Sequence, residues 1–383
     1  MGTLRVLELY SGIGGMHYAL KKSGISGQVV AAIDINTTAN QIYRHNFPDT
    51  PLWNKTIEGI SLDEFNELRF DMILMSPPCQ PFTRLGLQRD IADPRTKSFL
   101  YILNLLPRLS QLPRFILLEN VKGFESSSAR QCLVEKLLKC GYTFQEVMVS
   151  PTSVGIPNSR LRYFFMAKIS TEAICSKDSQ MSLLPAESES SQEPTLAIPL
   201  QPLSSLTKEE EMEGRVHYKL ETTNDALRKR TQNSDLSVRQ IQDFLEPEEN
   251  VDIDQYLVPS KILLRYALIL DIVKPICRRS ICFTKGYGRY VEGTGSVLQS
   301  CLETETESVF KYLDQFSQEE KLQHLLRLKL RYFTPREVAN IMGFPQSFSF
   351  PEQIPNKQRY RVLGNSLNVA VAATLLHQLI SKC

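Results

Sequence analysis

The sequence predicts an α/β protein: a doubly wound, Rossmann-like domain into which a smaller domain is inserted. Apolar runs of strand length alternate with helix-patterned stretches across residues 1–169, the pattern of a sheet flanked by helices. A glycine-rich turn follows the first run directly, and a proline-stiffened cysteine turn follows a later one. Open α/β sheets gather their ligand sites at such strand ends.

Leu4–Leu9 reads as the first strand, and Tyr10-Ser11-Gly12-Ile13-Gly14-Gly15 turns out of it into a helix that runs to Lys22. The glycines permit a tight turn and let a ligand approach the backbone. Residues 29–33 form a second strand ending at Asp34, about 20 positions beyond the glycines, where a carboxylate grips a ribose diol. A dinucleotide fingerprint needs a third glycine at position 17, which is His17. An adenosine-bearing cofactor without a pyrophosphate, such as S-adenosylmethionine, therefore fits better than NAD.

Ile57-Glu58 lies in a loop before a helix that starts near Ser61, with Glu64 at capping-box spacing. Residues 70–75 make a short buried strand that delivers Ser76-Pro77-Pro78-Cys79-Gln80-Pro81-Phe82. Prolines fix φ and remove backbone donors, so this loop holds its thiol in a set direction. Helical spacing follows over residues 98–109, then a strand at 115–118 ending in Glu119-Asn120-Val121. Residues 133–138 are helical and capped by Gly141; residues 144–149 and 161–167 are later strands. Cys79 and Glu119 both stand at strand C-termini and can converge on one edge of the sheet.

Composition bounds the remaining classes. At 383 residues, with 42% hydrophobic and 22% charged side chains, the chain has core enough for two domains. A net charge of +2 leaves any basic footprint local. No apolar run approaches the roughly 20 residues needed to span a bilayer, so no membrane partner is expected. The eight cysteines show no C-x-x-C pair and no zinc spacing; a metal-free protein with reduced thiols is expected, resident in cytoplasm and also nucleus.

A thiol, a strand-end carboxyl and the pair Arg160 and Arg162 beside a cofactor site suit one reaction in particular. Carbon 5 of cytosine is a poor nucleophile until a thiolate adds at C6, after which C5 attacks a sulfonium methyl group. An acid at N3 stabilises the charge that builds on the ring.

These residues lie in a series of motifs: Leu7-Glu8-Leu9-Tyr10-Ser11-Gly12-Ile13-Gly14-Gly15, Pro77-Pro78-Cys79-Gln80, Glu119-Asn120-Val121, Arg160-x-Arg162, Tyr332-Phe333-Thr334-Pro335-Arg336-Glu337 with Gly343-Phe344-Pro345, and Gly364-Asn365-Ser366. In kind and order they resemble the cytosine-C5 methyltransferases. The resemblance implies an S-adenosylmethionine-dependent catalytic domain with an inserted target-recognition domain. It makes Cys79 the nucleophile, Glu119 the N3 acid, and Arg160 and Arg162 anchors for base and phosphate. It places Ile13, Gly14, Gly15, Asp34, Ile35, Ile57, Glu58, Ser76, Ser98, Asn365 and Ser366 around the cofactor. Asn158 departs from the pattern, standing where many DNA enzymes of the family carry glutamine.

Residues 170–214 are rich in Ser, Glu, Gln and Pro without periodicity, as in a flexible insertion. Order is expected to return over 216–220, with helical patterning at 238–244 and 260–273. The resulting division is 1–169 and 301–383 for the catalytic domain and 215–300 for target recognition. The basic, aromatic stretch from Arg278 to Tyr290 offers Lys285, Tyr287 and Arg289, together with Arg84 of the cysteine loop, as nucleic-acid contacts. Its Cys282-Phe283-Thr284 segment resembles the branch of the family that methylates transfer RNA, whose usual substrate is the anticodon-loop cytosine of aspartate tRNA. A monomer acting on tRNA is the expectation; DNA methylation, and a nucleic-acid-binding protein without catalysis, are the alternatives. Residues 322–330 read as an amphipathic helix, Thr334-Pro335-Arg336-Glu337 starts another, and a last helix runs through Leu379.

Overall fold

A computed structural model describes residues 2–82, 90–169 and 222–381. The first segments supply β1 (Leu4–Leu9), α1 (Gly15–Lys22), β2 (Gly27–Ile33), α2 (Thr37–Asn46), β3 (Leu52–Trp53), α3 (Leu62–Leu68), β4 (Met72–Met75), α4 (Lys97–Leu105), β5 (Phe115–Val121), α5 (Ser128–Lys139), β6 (Tyr142–Val149) and β7 (Arg162–Ile169). The rest supplies α6 (Thr223–Ser234), α7 (Ser260–Tyr266), β8 (Ile272–Val273), β9 (Val297–Gln299), α8 (Thr306–Phe310), α9 (Gln318–Leu326), β10 (Leu330–Arg331), α10 (Pro335–Ile341), α11 (Asn356–Asn365) and α12 (Val369–Ser381).

The main sheet has seven strands in the order β3-β2-β1-β4-β5-β7-β6. β1 to β5 pair in parallel, whereas β7 runs antiparallel to both β5 and β6. No helix crosses over between β6 and β7, so the chain reverses and pairs antiparallel. Strand order reverses between β1 and β4, and the C-terminal ends of these strands carry the glycine turn and the cysteine loop. The sequence therefore places both motifs at the topological switch point, where such sheets bind ligands.

Both faces of the sheet are buried. One face packs Leu4, Val6, Met72 and Leu74 beneath α1 and α12, whose Val371, Ala372, Leu375 and Leu376 are buried. The other packs Leu7, Leu9, Ile73 and Leu118 beneath α4 and α5. The last helix thus returns to the first strand. A third cluster, including Val258, Leu263, Ile272, Val297, Leu325 and Leu330, surrounds a three-stranded sheet in the order β10-β9-β8.

Several elements differ from the sequence expectation for local reasons. Residues 322–330 do not form one helix: a capping box of Ser317 and Glu320 starts α9 earlier, and Leu330 and Arg331 are strand. Of residues 238–244 only Ile241–Phe244 coil, as one 3-10 turn. The stretch 260–273 ends its helix at Tyr266, and Ile272–Val273 pair as β8. Residues 170–214 and 216–220 lie outside the described residues.

Candidate active site

The glycine turn is shaped by close packing. Gly14 has φ 85°, and a Cβ there would lie 2.4 Å from a ring carbon of Phe47, so no larger residue fits. Asp34 at the end of β2 braces the turn: its carboxylate accepts from the Gly12 and Asn36 backbone N–H groups, each at 2.8 Å. Burial raises the Asp34 pKa above the usual carboxylate range, against the lowering effect of those N–H groups.

A cleft of about 630 Å³ opens above these strand ends. Ile13, Gly15, Asp34, Ile35, Ile57, Glu58, Ser76, Ser98, Asn365 and Ser366 line it, together with Cys79, Glu119, Arg160 and Arg162. Of the residues expected around a cofactor, Gly14 alone is not in the wall; it caps α1 from behind. Among the described residues the buried hydroxyls of Ser11 and Ser76 have no hydrogen-bond partner, and both residues belong to the cleft wall. Ile35, 64% exposed at the rim, is a large apolar side chain without cover. Orphaned hydroxyls, a carboxylate and an uncovered apolar surface fit a polar ligand with a flat apolar part. Ser11 escapes sequence reasoning because only its unpartnered burial marks it.

Cys79 and Glu119 line the same cleft, close enough for the Glu119 charge to act on the thiol. The Asn120 side chain reaches the Pro77 carbonyl at 3.5 Å, tying the end of β5 to the cysteine loop. Gly123, with φ 111°, lets that connection pass close: a Cβ there would be 2.7 Å from the Phe82 carbonyl oxygen. Burial, then the Glu119 charge, push the Cys79 thiol up, while Arg162 and Arg160 pull it down; the net shift is upward. Burial likewise raises Glu119 despite Arg162 and Arg160, favouring a protonated acid. Arg162 Nε lies 3.3 Å from Glu119 Oε1.

Arg160 is buried, and both of its terminal nitrogens are taken up by protein, while Nε has no partner among the described residues. Nη1 donates to Cys282 Sγ at 3.2 Å and the Phe283 carbonyl at 3.0 Å; Nη2 donates to the carbonyls of Gly364, at 3.0 Å, and Ser366. It joins the start of β7 to the 282–283 segment and to the C-terminal motif. Asn158 does the same one step earlier, donating to Ser280 Oγ and the Ile281 carbonyl, each at 3.0 Å. Gly364 is required where α11 crosses this segment: a Cβ would meet the Lys285 nitrogen and the Thr284 carbonyl carbon at 2.2 Å.

The nucleic-acid candidates separate. Lys285 and Arg289 are exposed, and Arg84 lies outside the described residues. Tyr287 is a core residue instead: it is 3% exposed, donates to the Ser296 carbonyl at 2.7 Å and accepts from the Phe333 N–H at 2.9 Å. Its ring packs edge-on against Phe283, Tyr332 and Tyr360, a burial that aromatic composition alone does not reveal. Tyr290, 57% exposed beside Arg289, is the accessible aromatic. Lys55, Arg95 and Arg361 add three cations to the cleft wall that the motifs leave unmarked.

The C-5 cytosine-specific DNA methylase family matches this chain over residues 4–381. The chain belongs to that family. It is 55% identical over 388 residues to a human protein named tRNA (cytosine(38)-C(5))-methyltransferase, covering 98% of this chain and 99% of the relative. It is 38% identical over 389 residues to a Dictyostelium discoideum protein named DNA (cytosine-5)-methyltransferase, covering 100% and 95%. The crystal structure of the S. pombe Dnmt2 methyltransferase superposes with a TM-score of 0.73 at 35% identity, covering 99% of each chain. The protein is therefore a cytosine-C5 methyltransferase with a Rossmann-like fold, and its family implies a methyl donor. Among the described residues no group of three or more His, Cys, Asp or Glu side chains could hold a metal ion.

Proposed function

We propose that this methyltransferase acts on transfer RNA, modifying cytosine 38 in the anticodon loop of aspartate tRNA with S-adenosylmethionine as donor. The observation that carries the reading is the shared wall: Cys79 and Glu119 line the same cleft as Asp34 and the unpartnered Ser11 and Ser76. Ser11, Ser76 and Asp34 would hold the donor's polar groups, and Ile35 its adenine. Once bound, the donor supplies an electrophilic methyl group.

The remaining chemistry belongs to the chain. The Cys79 thiolate adds to C6 of the cytosine, while protonated Glu119 gives its proton to N3 and leaves an enamine whose C5 accepts the methyl group. Loss of the C5 proton to a base, and return of the N3 proton, expel the thiolate and restore the aromatic ring. Glu119 is buried in the cleft wall, which limits the access of water to its proton.

The nature of the target supports RNA. A base in a duplex must be extruded at a cost of a few kcal/mol, and an unstacked loop base costs less. Lys285, Arg289 and Arg361 offer a few exposed cations for loop phosphates, and Tyr290 a face for a splayed base. Residues 215–300 are assigned to target recognition, in a monomer of the cytoplasm with access to the nucleus. DNA is the second reading, favoured by the name of the Dictyostelium relative.

A labelled methyl group offered with aspartate tRNA, other tRNAs and duplex DNA at one stated ionic strength separates the readings, because phosphate affinity depends steeply on salt. Label on aspartate tRNA at position 38 is expected. Label on duplex DNA alone would overturn the tRNA assignment.

A further inference from the structure

Cys282 occupies a position that the reaction above does not use. Its sulfur accepts from Arg160 Nη1 at 3.2 Å and lies 4.0 Å from Arg162 Nη2. The same two arginines flank Glu119, with Arg162 Nε at 3.3 Å from its carboxyl. Two guanidinium groups therefore face two ionisable acids in a buried setting, where opposite charges interact strongly.

We propose that Cys282 is the anion that neutralises the Arg160–Arg162 pair, leaving Glu119 to keep the proton it delivers to the base. The proposal rests on the assigned roles of Cys79 and Glu119. Were Cys282 a neutral thiol, both cations would act on Glu119 and Cys79 alone and pull harder on the Glu119 proton, against the burial that holds it. A Glu119 that lost that proton would face the Cys79 thiolate formed during the reaction. With the charge on Cys282, the arginines are balanced from behind, Glu119 stays an acid, and Cys79 can ionise beside a neutral neighbour.

The other charged groups fit this arrangement. Those that act on the cluster are Arg160, Arg162, Glu119 and Cys79, with Arg95 reaching Cys79 from the rim. Arg95 is itself paired with Asp93, its nearest contact being 2.6 Å. Burial pushes the Cys282 thiol up, but Arg160 and Arg162 together outweigh burial and leave it below its ordinary value. Among the described residues a neutral thiol would have only the Phe283 carbonyl at 3.8 Å to donate to, a weak bond. Cys282 is thus a positioning residue, one layer behind the reacting groups.

Two measurements test the assignment. In the unmodified chain, the alkylation rate of each cysteine by a small electrophile is followed against pH by peptide mass spectrometry. The Cys282 peptide should titrate below the ordinary thiol value of about 8.5; titration at or above that value would overturn the proposal. The pH profile of kcat is then compared between wild type, Cys282→Ser and Cys282→Asp.

Removing the anion strengthens the positive field on Glu119 and on Cys79, so both limbs should move to lower pH in Cys282→Ser, by about one unit. Cys282→Asp should leave them in place. A lower maximum with unmoved limbs would mean that Cys282 serves packing alone. Because the alkylation titration needs no substrate, a protein inactive on every tRNA would count against the functional reading and leave this one to be judged separately.

Discussion

Arg162 and Glu119 lie 3.3 Å apart across the antiparallel pair β5–β7, guanidinium against carboxyl. An ion pair at that distance lowers a carboxyl pKa, yet burial raises Glu119 overall. The pair orients the carboxyl while burial favours its protonated form. Glu119→Gln keeps the shape and removes the proton. Its kcat should fall by about 10²–10⁴, the usual worth of a general acid, with S-adenosylhomocysteine binding unchanged by calorimetry. Near-normal turnover would make Glu119 structural.

The crossing of α11 over residues 284–285 rests on one hydrogen atom. Gly364→Ala would put a methyl group 2.2 Å from backbone atoms of Lys285 and Thr284, and backbone cannot swing aside as a side chain does. The expected loss of stability in urea unfolding is about 3 kcal/mol, the upper range for overpacking. Asn365 and Ser366 line the cleft, so cofactor affinity should fall with it. An unchanged unfolding midpoint would contradict this packing.

Beneath the glycine turn, Glu8 is fully buried and accepts from the His17 N–H at 3.2 Å and the Tyr43 hydroxyl at 2.7 Å. Burial raises its pKa to about 8, against the lowering effect of Tyr43 and His17, with Asp34 adding to the rise. A carboxyl raised on folding favours the native state below its unfolded value of about 4.5 and loses that contribution as pH climbs through about 8. Glu8→Gln, which stays neutral, should therefore match wild type near the acid end of that window and exceed it at the alkaline end. Denaturant unfolding at both ends measures this; parallel curves would mean that Glu8 is charged when folded.

The motifs at strand ends are legible from sequence because strand, turn and reactive residue are contiguous. Cys79, Glu119 and Asp34 each follow an apolar run, and the sheet then has to bring them to one edge. Tyr287 and Ser11 are not legible: one is buried and the other orphaned by residues far away in the chain, so no local pattern reports either. Likewise β7 reads as a strand from residues 161–167, but its antiparallel setting depends on the missing crossover. The α9 boundary was present in the sequence as Ser317 and Glu320, where the cap overrides apolar spacing. Gly364 shows its purpose only once Thr284 and Lys285 are seen passing beneath it.

The most direct test of the account is a covalent trap. A tRNA anticodon stem-loop with 5-fluorocytosine at position 38 cannot release the C5 substituent that elimination requires, so the enzyme should remain bonded to it. The account predicts a donor-dependent adduct of one enzyme with one RNA, located by peptide mass spectrometry on Cys79 and absent from Cys79→Ala. An adduct on Cys282, or methylation by Cys79→Ala, would contradict it.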